Sequence, residues 1–265
     1  MKAIRLFAIF GLLLSVAAST TGCNGAKTNA TQEQTASAED TVKQGSSIFD
    51  KLAADMVKVE GDNFVMGSPG DSLCQAHSVT LSDFSICKYE VTQELWEAVM
   101  GTNPSDTKGG RLPVVNVSWD DCQTFIGKLN ALTGKHYRLP TEAEWEFACR
   151  GGKLSKGYKY SGGNVIDKVA WYGDDSDGRL QAVGQKQSNE LGLHDMSGNV
   201  WEWCQDIYGN YDLQPQTNPT GPAEGTARVC RGGSWIDPAR YCQCTLRNNG
   251  PASFSINTQG FRLAL

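Results

Sequence analysis

Apolar residues are distributed very unevenly along the 265-residue chain. Residues 6–18 form an unbroken run of apolar or small side chains, which is too short to span a bilayer as a helix. Residues 24–47 contain almost no large apolar side chains, so they cannot bury enough surface to become ordered. The periodic patterns of a folded domain begin near residue 50. We therefore predict a leader over 1–22, a flexible tether over 23–49 and one domain over 50–265.

The leader has the features of a bacterial export signal. Lys2 and Arg5 precede the apolar run, as in a signal peptide. Gly22-Cys23 follows, and a small residue directly before a cysteine is typical of a lipidation site. The alternative is simple secretion with cleavage after Ala18. Lipidation of Cys23 leaves an even number of the nine cysteines for the domain, which favours a lipid-anchored protein at the bacterial cell surface or outer membrane.

Local patterns in the domain predict three helices and several short strands. Each helix starts at a capping residue; the predicted spans are Glu94–Met100 after Thr92, Ser118 to Leu132, and Glu142–Arg150 after Thr141. Alternating or apolar runs predict strands at Met56–Glu60, Val79–Cys87, Val200–Cys204, Ala227–Trp235 and Gly260–Leu265, with a hairpin turn at Gly61-Asp62. Helices followed by short strands and many loops indicate a single α+β domain.

Charge and composition exclude several classes of protein. Without Lys2 and Arg5 of the leader the chain has 22 basic against 29 acidic side chains, so it lacks the basic surface of a nucleic-acid binder. Nine cysteines indicate an oxidising compartment. The sequence has no P-loop, no dinucleotide fingerprint and no Gly-x-Ser-x-Gly elbow, and its three histidines lack zinc-site spacing.

One motif, residues 192–203 (GLHDMSGNVWEW), has the donors of a cation site. Asp195 and Glu202 lie on either side of a glycine turn, and the carbonyl groups of Gly198 and Val200 lie between them. Carboxylate and carbonyl oxygens are the ligands that Ca²⁺ prefers. From these residues alone, two solvated acids beside a turn is the simpler interpretation, because calcium loops use more donors.

Several motifs together resemble the formylglycine-generating enzyme (sulfatase-modifying factor) family. They are residues 137–152 (YRLPTEAEWEFACRGG), 192–203, 231–235 (RGGSW) and 260–262 (GFR), preceded in the right order by 64–68 (FVMGS) and 89–92 (YEVT). The resemblance covers residues 55–265 and implies a loop-rich, C-type-lectin-like fold. It also implies structural Ca²⁺ at Asp195, Gly198, Val200 and Glu202.

The resemblance does not extend to the family's catalytic cysteines. Enzymes of the family oxidise a substrate cysteine with O₂, using copper held by two cysteines, three and eight residues after the serine of the Gly-Gly-Ser motif. In this chain that serine is Ser234, the first position is Asp237 and the second is Cys242. One thiolate with one carboxylate is a poor Cu(I) site, because Cu(I) selects soft ligands. We therefore expect no copper and no catalysis; in an enzyme, Cys242 and Ser234 would be the catalytic residues.

The resemblance also suggests how the cysteines pair. A family disulfide aligns with Cys149 and Cys244, and Cys242 is then either a free thiol or the alternative partner of Cys149. Further possible pairs are Cys74 with Cys87 and Cys204 with Cys230.

Non-catalytic members of the family include the variable proteins of diversity-generating retroelements, some of them surface lipoproteins. In these proteins the segment between Gly-Gly-Ser-Trp and Gly-Phe-Arg carries diversified ligand contacts. Adenine-directed mutation of Asn codons cannot produce Lys, Glu, Gln, Met or Trp, and residues 236–258 contain only Gln243 of that set. The resemblance thus predicts a surface for a protein or glycan ligand, made by Asp237, Arg240, Tyr241, Thr245, Asn248, Asn249, Ser253, Phe254, Ser255 and Asn257.

Two other functions remain open from the sequence. One is a sulfatase-modifying oxidase with an altered site around Cys242, and the other is a structural lipoprotein of a surface assembly. An adenine-rich near-repeat of the 3′ coding segment beside a reverse transcriptase gene would favour the variable binding protein. A neighbouring sulfatase gene would favour the oxidase.

Overall fold

The computed structural model describes residues 47–265. The predicted leader, Cys23 and residues 23–46 of the predicted tether lie outside the described residues. None of the helices within 47–265 is both long enough and apolar enough to cross a membrane.

The first described element is a helix, α1, over residues 47–54. Ile48 and Phe49 are partly buried and pack against the main core, which includes Leu52 of the same helix. The predicted boundary between tether and domain at residue 50 therefore falls inside this helix, because these apolar side chains bury together.

The three predicted helices are confirmed; they are α2 (Gln93–Met100), α3 (Trp119–Thr133) and α4 (Glu142–Cys149). Thr92, Ser118 and Thr141 are their N-caps, and the last two form complete capping boxes. Side-chain oxygens at these positions satisfy backbone N–H groups that a helix start would leave without partners. Besides α1, the prediction missed α5 (Ile166–Val169) and two 3₁₀ turns at Gly152–Leu154 and Ala239–Cys242. It also missed the strands Gln216–Thr217 and Arg247–Pro251.

Within residues 47–265, nine short strands form three sheets. The first pairs β1 (Met56–Val59) with β4 (Phe84–Cys87), and the second has the order β2 (Asn63–Met66), β3 (His77–Thr80), β6 (Gln216–Thr217). The third, which we call the central sheet, has the order β8 (Arg247–Pro251), β7 (Ala227–Arg231), β5 (Trp201–Ile207), β9 (Gln259–Gly260). Together with the helices these strands make the α+β architecture expected from the sequence.

Strand pairing near the N-terminus differs from the predicted hairpin. β1 pairs with β4 and β2 pairs with β3, so the strands on either side of Gly61 belong to different sheets. A Cβ on Gly61 would lie 2.1 Å from the Leu81 carbonyl oxygen, so the chain passes too closely for a side chain. The predicted strand Val79–Cys87 is accordingly two strands, β3 and β4, separated by residues 81–83.

The two predicted C-terminal strands are shorter than expected. β7 ends at Arg231, because Gly232 and Gly233 have φ values of 101° and 76°, in the left-handed region. Of the predicted strand Gly260–Leu265 only Gly260 belongs to a regular strand, β9. Beyond it, Ala264 forms isolated bridges with both Ile86 and Arg138.

The central sheet separates two cores. Trp201, Trp203 and Cys230 face the core that α2 and α3 cover, with stacked Trp96 and Phe125 rings 5.1 Å apart at its centre. Cys204 and Val229, which neighbour Trp203 and Cys230 along their strands, face the second core together with Trp145 of α4. Alternation along the strands therefore assigns each residue to one core.

Candidate functional site

The turn after β7 brings the Gly-Gly-Ser-Trp motif against the loop that precedes β5. Gly198 N donates to the Gly232 carbonyl oxygen at 2.8 Å, and Trp235 N donates to the Asn199 carbonyl oxygen at 2.8 Å. A Cβ on Gly233 would lie 2.8 Å from Cys242 Sγ. Glycine is required there because Cys242 packs directly on the turn.

Asp237 lies at the centre of this site. Its Oδ2 accepts a hydrogen bond from Trp201 Nε1 at 2.9 Å and a second, short one from Ser234 Oγ. Ser234 is fully buried and Trp201 nearly so. The Asp237 carboxylate therefore ties the turn to the first residue of β5.

Cys242, in the second 3₁₀ turn, is fully buried in a small cluster with Tyr160 and Tyr172. Burial, with a smaller contribution from Asp237, raises the pKa of the Cys242 thiol to about 12. The thiol is therefore protonated at neutral pH, and only the thiolate is a good nucleophile or soft metal ligand.

The four predicted calcium ligands are all buried, and both carboxylates have hydrogen-bond partners within the protein. Both oxygens of Glu202 are occupied, because Arg262 Nε and Nη2 each donate to one of them at 2.6 Å and Trp145 Nε1 donates at 2.7 Å. Asp195 Oδ2 accepts from Gly184 N at 2.7 Å. Its Oδ1 is buried and has no hydrogen-bond partner among the described residues.

The structure adds Glu90, which the sequence analysis did not single out. Glu90 is buried and accepts hydrogen bonds from Asn199 Nδ2 at 2.6 Å and from Val200 N at 3.2 Å. Burial and the neighbouring Asp195 raise the pKa of Glu90, and burial raises that of Asp195 to about 6. The only sequence signal for Glu90 is its place in the motif at 89–92, because this segment and the loop that carries Asp195 meet only in the folded chain.

The ten predicted ligand contacts all lie outside the buried core. Seven are exposed (Arg240, Asn248, Asn249, Ser253, Phe254, Ser255 and Asn257) and three are partly buried (Asp237, Tyr241 and Thr245). The Arg240 guanidinium lies 4.7 Å from the centre of the Tyr241 ring, which packs edge-on against Trp201. The sequence pattern thus identified residues that the solvent can reach.

The ten residues do not share one face. β8 is an edge strand of the central sheet, with Asn248 opposite Cys230 and Asn249 opposite Val229. Cys230 and Val229 face different cores, so Asn248 and Asn249 lie on opposite faces. A Cβ on Gly250 would lie 3.4 Å from the Phe254 ring, which places Phe254 on the face of Asn248.

Comparisons with known proteins agree with these motifs. The family described as "Sulfatase-modifying factor enzyme 1-like domain" matches residues 45–265. The chain belongs to this family. It is 35% identical to chaperone protein LppX of Paenibacillus barcinonensis (79% of this chain, 87% of that protein) and 34% identical to the formylglycine-generating enzyme of Streptomyces coelicolor (64% and 57%). Among solved structures, Treponema denticola variable protein 1 is 34% identical with a TM-score of 0.75, covering 79% of this chain and 94% of that one.

The residues at the family's copper position do not fit that metal. The Asp237 carboxylate is a hard ligand and already accepts two hydrogen bonds. The Cys242 thiol has a pKa of about 12 and so resists the deprotonation that a soft ligand requires.

No group of three or more His, Cys, Asp or Glu side chains within 47–265 is arranged to hold a metal ion, and the calcium position of the family keeps one free acceptor, at Asp195 and not at Glu202. Asp195 Oδ1 is a buried oxygen without a donor, and Glu90 adds a further buried carboxylate nearby. Arg262 already takes both oxygens of Glu202. Because Arg262 and Arg111 act on this group of three carboxylates, a cation at Asp195 would compensate the remaining negative charge. Calcium binding stays a prediction.

The predicted Cys149–Cys244 pairing also stays a prediction. Both side chains belong to the same core, Cys244 Sγ lies 3.8 Å from the Cys149 carbonyl oxygen, and all eight cysteines within 47–265 are present as thiols. Cys242 lies in a separate cluster and is not the neighbour of Cys149. The possible pair of Cys204 with Cys230 is wrong, because these residues face opposite sides of the central sheet.

We expect Ca²⁺ at a hundredfold excess over Kd to increase the free energy of unfolding of the full chain by about 2.7 kcal/mol. The melting temperature should rise accordingly. Asp195→Asn should lose this response, since the amide keeps an oxygen for Gly184 N but removes the charge. Thermal unfolding with added Ca²⁺ and with chelator measures both. A melting curve of the unchanged protein that is indifferent to Ca²⁺ and chelator would contradict the site.

Proposed function

We propose that this protein is a non-catalytic ligand-binding member of the formylglycine-generating enzyme family. The observation that carries the proposal is the bonding of Asp237, which stands at the first copper-cysteine position and connects Ser234 to Trp201. The remaining thiol, Cys242, is buried and protonated. The Asp237 carboxylate thus forms a structural bridge beneath the surface, and the exposed residues around it are available to bind a ligand.

The ligand surface that we propose lies on the face of Asn248 and Phe254 and continues to Arg240 and Tyr241. Residues 236–258 also expose Ile236 and Phe254, at 53% and 45% of their surface. Exposed apolar side chains beside Arg and Tyr are typical of binding surfaces. The similar Treponema denticola protein is named a variable protein, which supports the same use of this scaffold. The proposed ligand is a protein or a glycan, and the segment is proposed to be the diversified one.

Edge strand β8 provides a rigid base for this surface. Arg247 donates two hydrogen bonds of 2.7 Å to the Glu142 carboxylate and a third, of 2.9 Å, to the Gly209 carbonyl oxygen. At the other end of the strand, Gly250 packs closely against Trp203. Loops that a rigid scaffold positions in this way can vary in sequence without unfolding the domain.

We further propose that the protein is exported and anchored to the membrane through a lipid on Cys23. The basic start, the apolar run and Gly22-Cys23 support this. Mass spectrometry of the mature N-terminus should find acylated Cys23, whereas an unmodified chain that begins at Ser19 would contradict it.

Substitutions of Asn248 and Phe254, which lie on the same face, should weaken ligand binding. A matched substitution of Asn249, on the opposite face of β8, should not. The full chain is screened against a glycan array and a library of secreted and surface proteins. For a ligand that binds in this screen, we expect Phe254→Ala and Asn248→Ala to weaken binding at least about tenfold. Truncating a side chain at the centre of an interface typically costs about 1–2 kcal/mol or more of binding free energy. Asn249→Ala is the control and should bind normally. Equal loss in Asn248→Ala and Asn249→Ala would contradict the proposed face.

We expect no conversion of a sulfatase-type cysteine peptide to formylglycine in the presence of copper and O₂. The reason is that Asp237 is a hard ligand and the Cys242 thiol stays protonated. Aldehyde is measured by mass spectrometry, with the Streptomyces coelicolor enzyme as the positive control. Robust aldehyde formation that is lost in Cys242→Ser would overturn the non-catalytic proposal.

A further inference from the structure

A cavity lies away from the Ser234–Asp237 turn. It has a volume of about 460 Å³ and opens between the start of α4, the end of β5 and residues 209–222. Volumes of roughly 300–1,000 Å³ are usual for small-molecule sites. None of the ten predicted ligand contacts lines this cavity, so its use does not depend on the proposed surface.

One ion pair in its wall is already complete. Glu142 accepts two hydrogen bonds of 2.7 Å from Arg247 and one of 3.0 Å from the Tyr211 hydroxyl. The Arg247 guanidinium also lies 3.9 Å from the centre of the Tyr211 ring. The charges of Glu142 and Arg247 therefore compensate each other, and neither is free to pair with a ligand.

Asp206 is different. It is 4% exposed, and its Oδ2 accepts a hydrogen bond from Glu142 N at 2.9 Å. No described residue donates a hydrogen bond to its Oδ1. A Cβ on Gly221 would lie 3.4 Å from that Oδ1, so glycine at 221 keeps the space beside the oxygen open. Asp206 lines the cavity, so this carboxylate oxygen is an acceptor that a donor group on a ligand can reach.

Within residues 47–265, no unpaired arginine or lysine lines the cavity around Asp206. The charged and titratable groups around it are Glu142 and Glu144 of α4 and Arg247 of β8, and the same cavity is lined by His77, Tyr211 and Asp212. Burial, with Glu142 adding, raises the pKa of Asp206 to about 7. His77 Nδ1 faces the Gln75 carbonyl oxygen at 3.0 Å. The one guanidinium in the lining, that of Arg247, is already paired.

We propose that this cavity binds an organic cation, an ammonium or guanidinium group, with Asp206 as its counter-ion. The cation donates to Asp206 Oδ1, and Asp212 at the rim adds a second negative charge. The rest of the ligand lies along Pro219 and Pro222, which supply apolar surface. The group comes either from a free amine or from a Lys or Arg side chain of a peptide.

Calorimetric titration of the full chain tests this with three probes: agmatine, Nα-acetyl-lysine amide and the neutral Nα-acetyl-norleucine amide. We expect the cationic probes to bind and the neutral one not to bind. Binding of agmatine alone identifies a free-amine site, and binding of the lysine amide identifies a peptide site. Asp206→Asn keeps an oxygen for Glu142 N and should weaken binding at least tenfold. Asp177→Asn, which removes the same charge at an exposed position, is the matched control.

The pH dependence separates a counter-ion from a merely structural residue. Affinity of the unchanged chain should rise roughly tenfold between pH 6 and pH 8, because a carboxyl with a pKa near 7 ionises over that range. Asp206→Asn should lose this dependence. The proposal is overturned if no cationic probe binds at millimolar concentration, if the neutral probe binds equally well, or if Asp206→Asn binds like the unchanged chain.

Discussion

The buried ion pair between Arg262 and Glu202 connects distant segments of the chain, and the rest of the fold depends on these connections. Arg262 lies 60 residues after Glu202 in the sequence, and both are fully buried. Arg262 also donates to the carbonyl oxygens of Cys87 and His194, at 3.1 and 2.9 Å, and Trp145 shares the Glu202 carboxylate. Removing one member of such a pair typically costs about 3–5 kcal/mol, because the other charge stays buried without compensation.

This arrangement also determines what the neighbouring acids can do. Glu202 has the residue type and spacing of a calcium ligand, yet its carboxylate is occupied by Arg262. The free acceptor is instead Asp195 Oδ1, with Glu90 close by from a distant segment. A cation bound at this loop would therefore use Asp195 Oδ1 rather than Glu202.

A fold shared with an enzyme does not carry its chemistry, since function depends on the residues placed on the scaffold. The relatives of this chain are named a chaperone, an enzyme and a variable protein. In this member Asp237 uses its carboxylate to hold Ser234 and Trp201 together. This turn lies beside the proposed ligand surface. The proposed cation site around Asp206 uses none of the turn residues, although Arg247 of β8 lines the cavity as well.

The sequence alone determined the features that depend on neighbours along the chain. Thr92, Ser118 and Thr141 start helices because their side chains cap backbone groups a few residues away. The ordered motifs indicated the family, and Asp237 indicated the missing thiol. Only the tertiary structure decided which strand pairs with β1, since pairing depends on contacts 25 or more residues distant. It also placed Asn248 and Asn249 on opposite faces, brought Glu90 to Asp195, and left Asp206 Oδ1 without a donor among the described residues. Strand register, burial and the packing of distant loops decide these features, and a short sequence window carries no information on them.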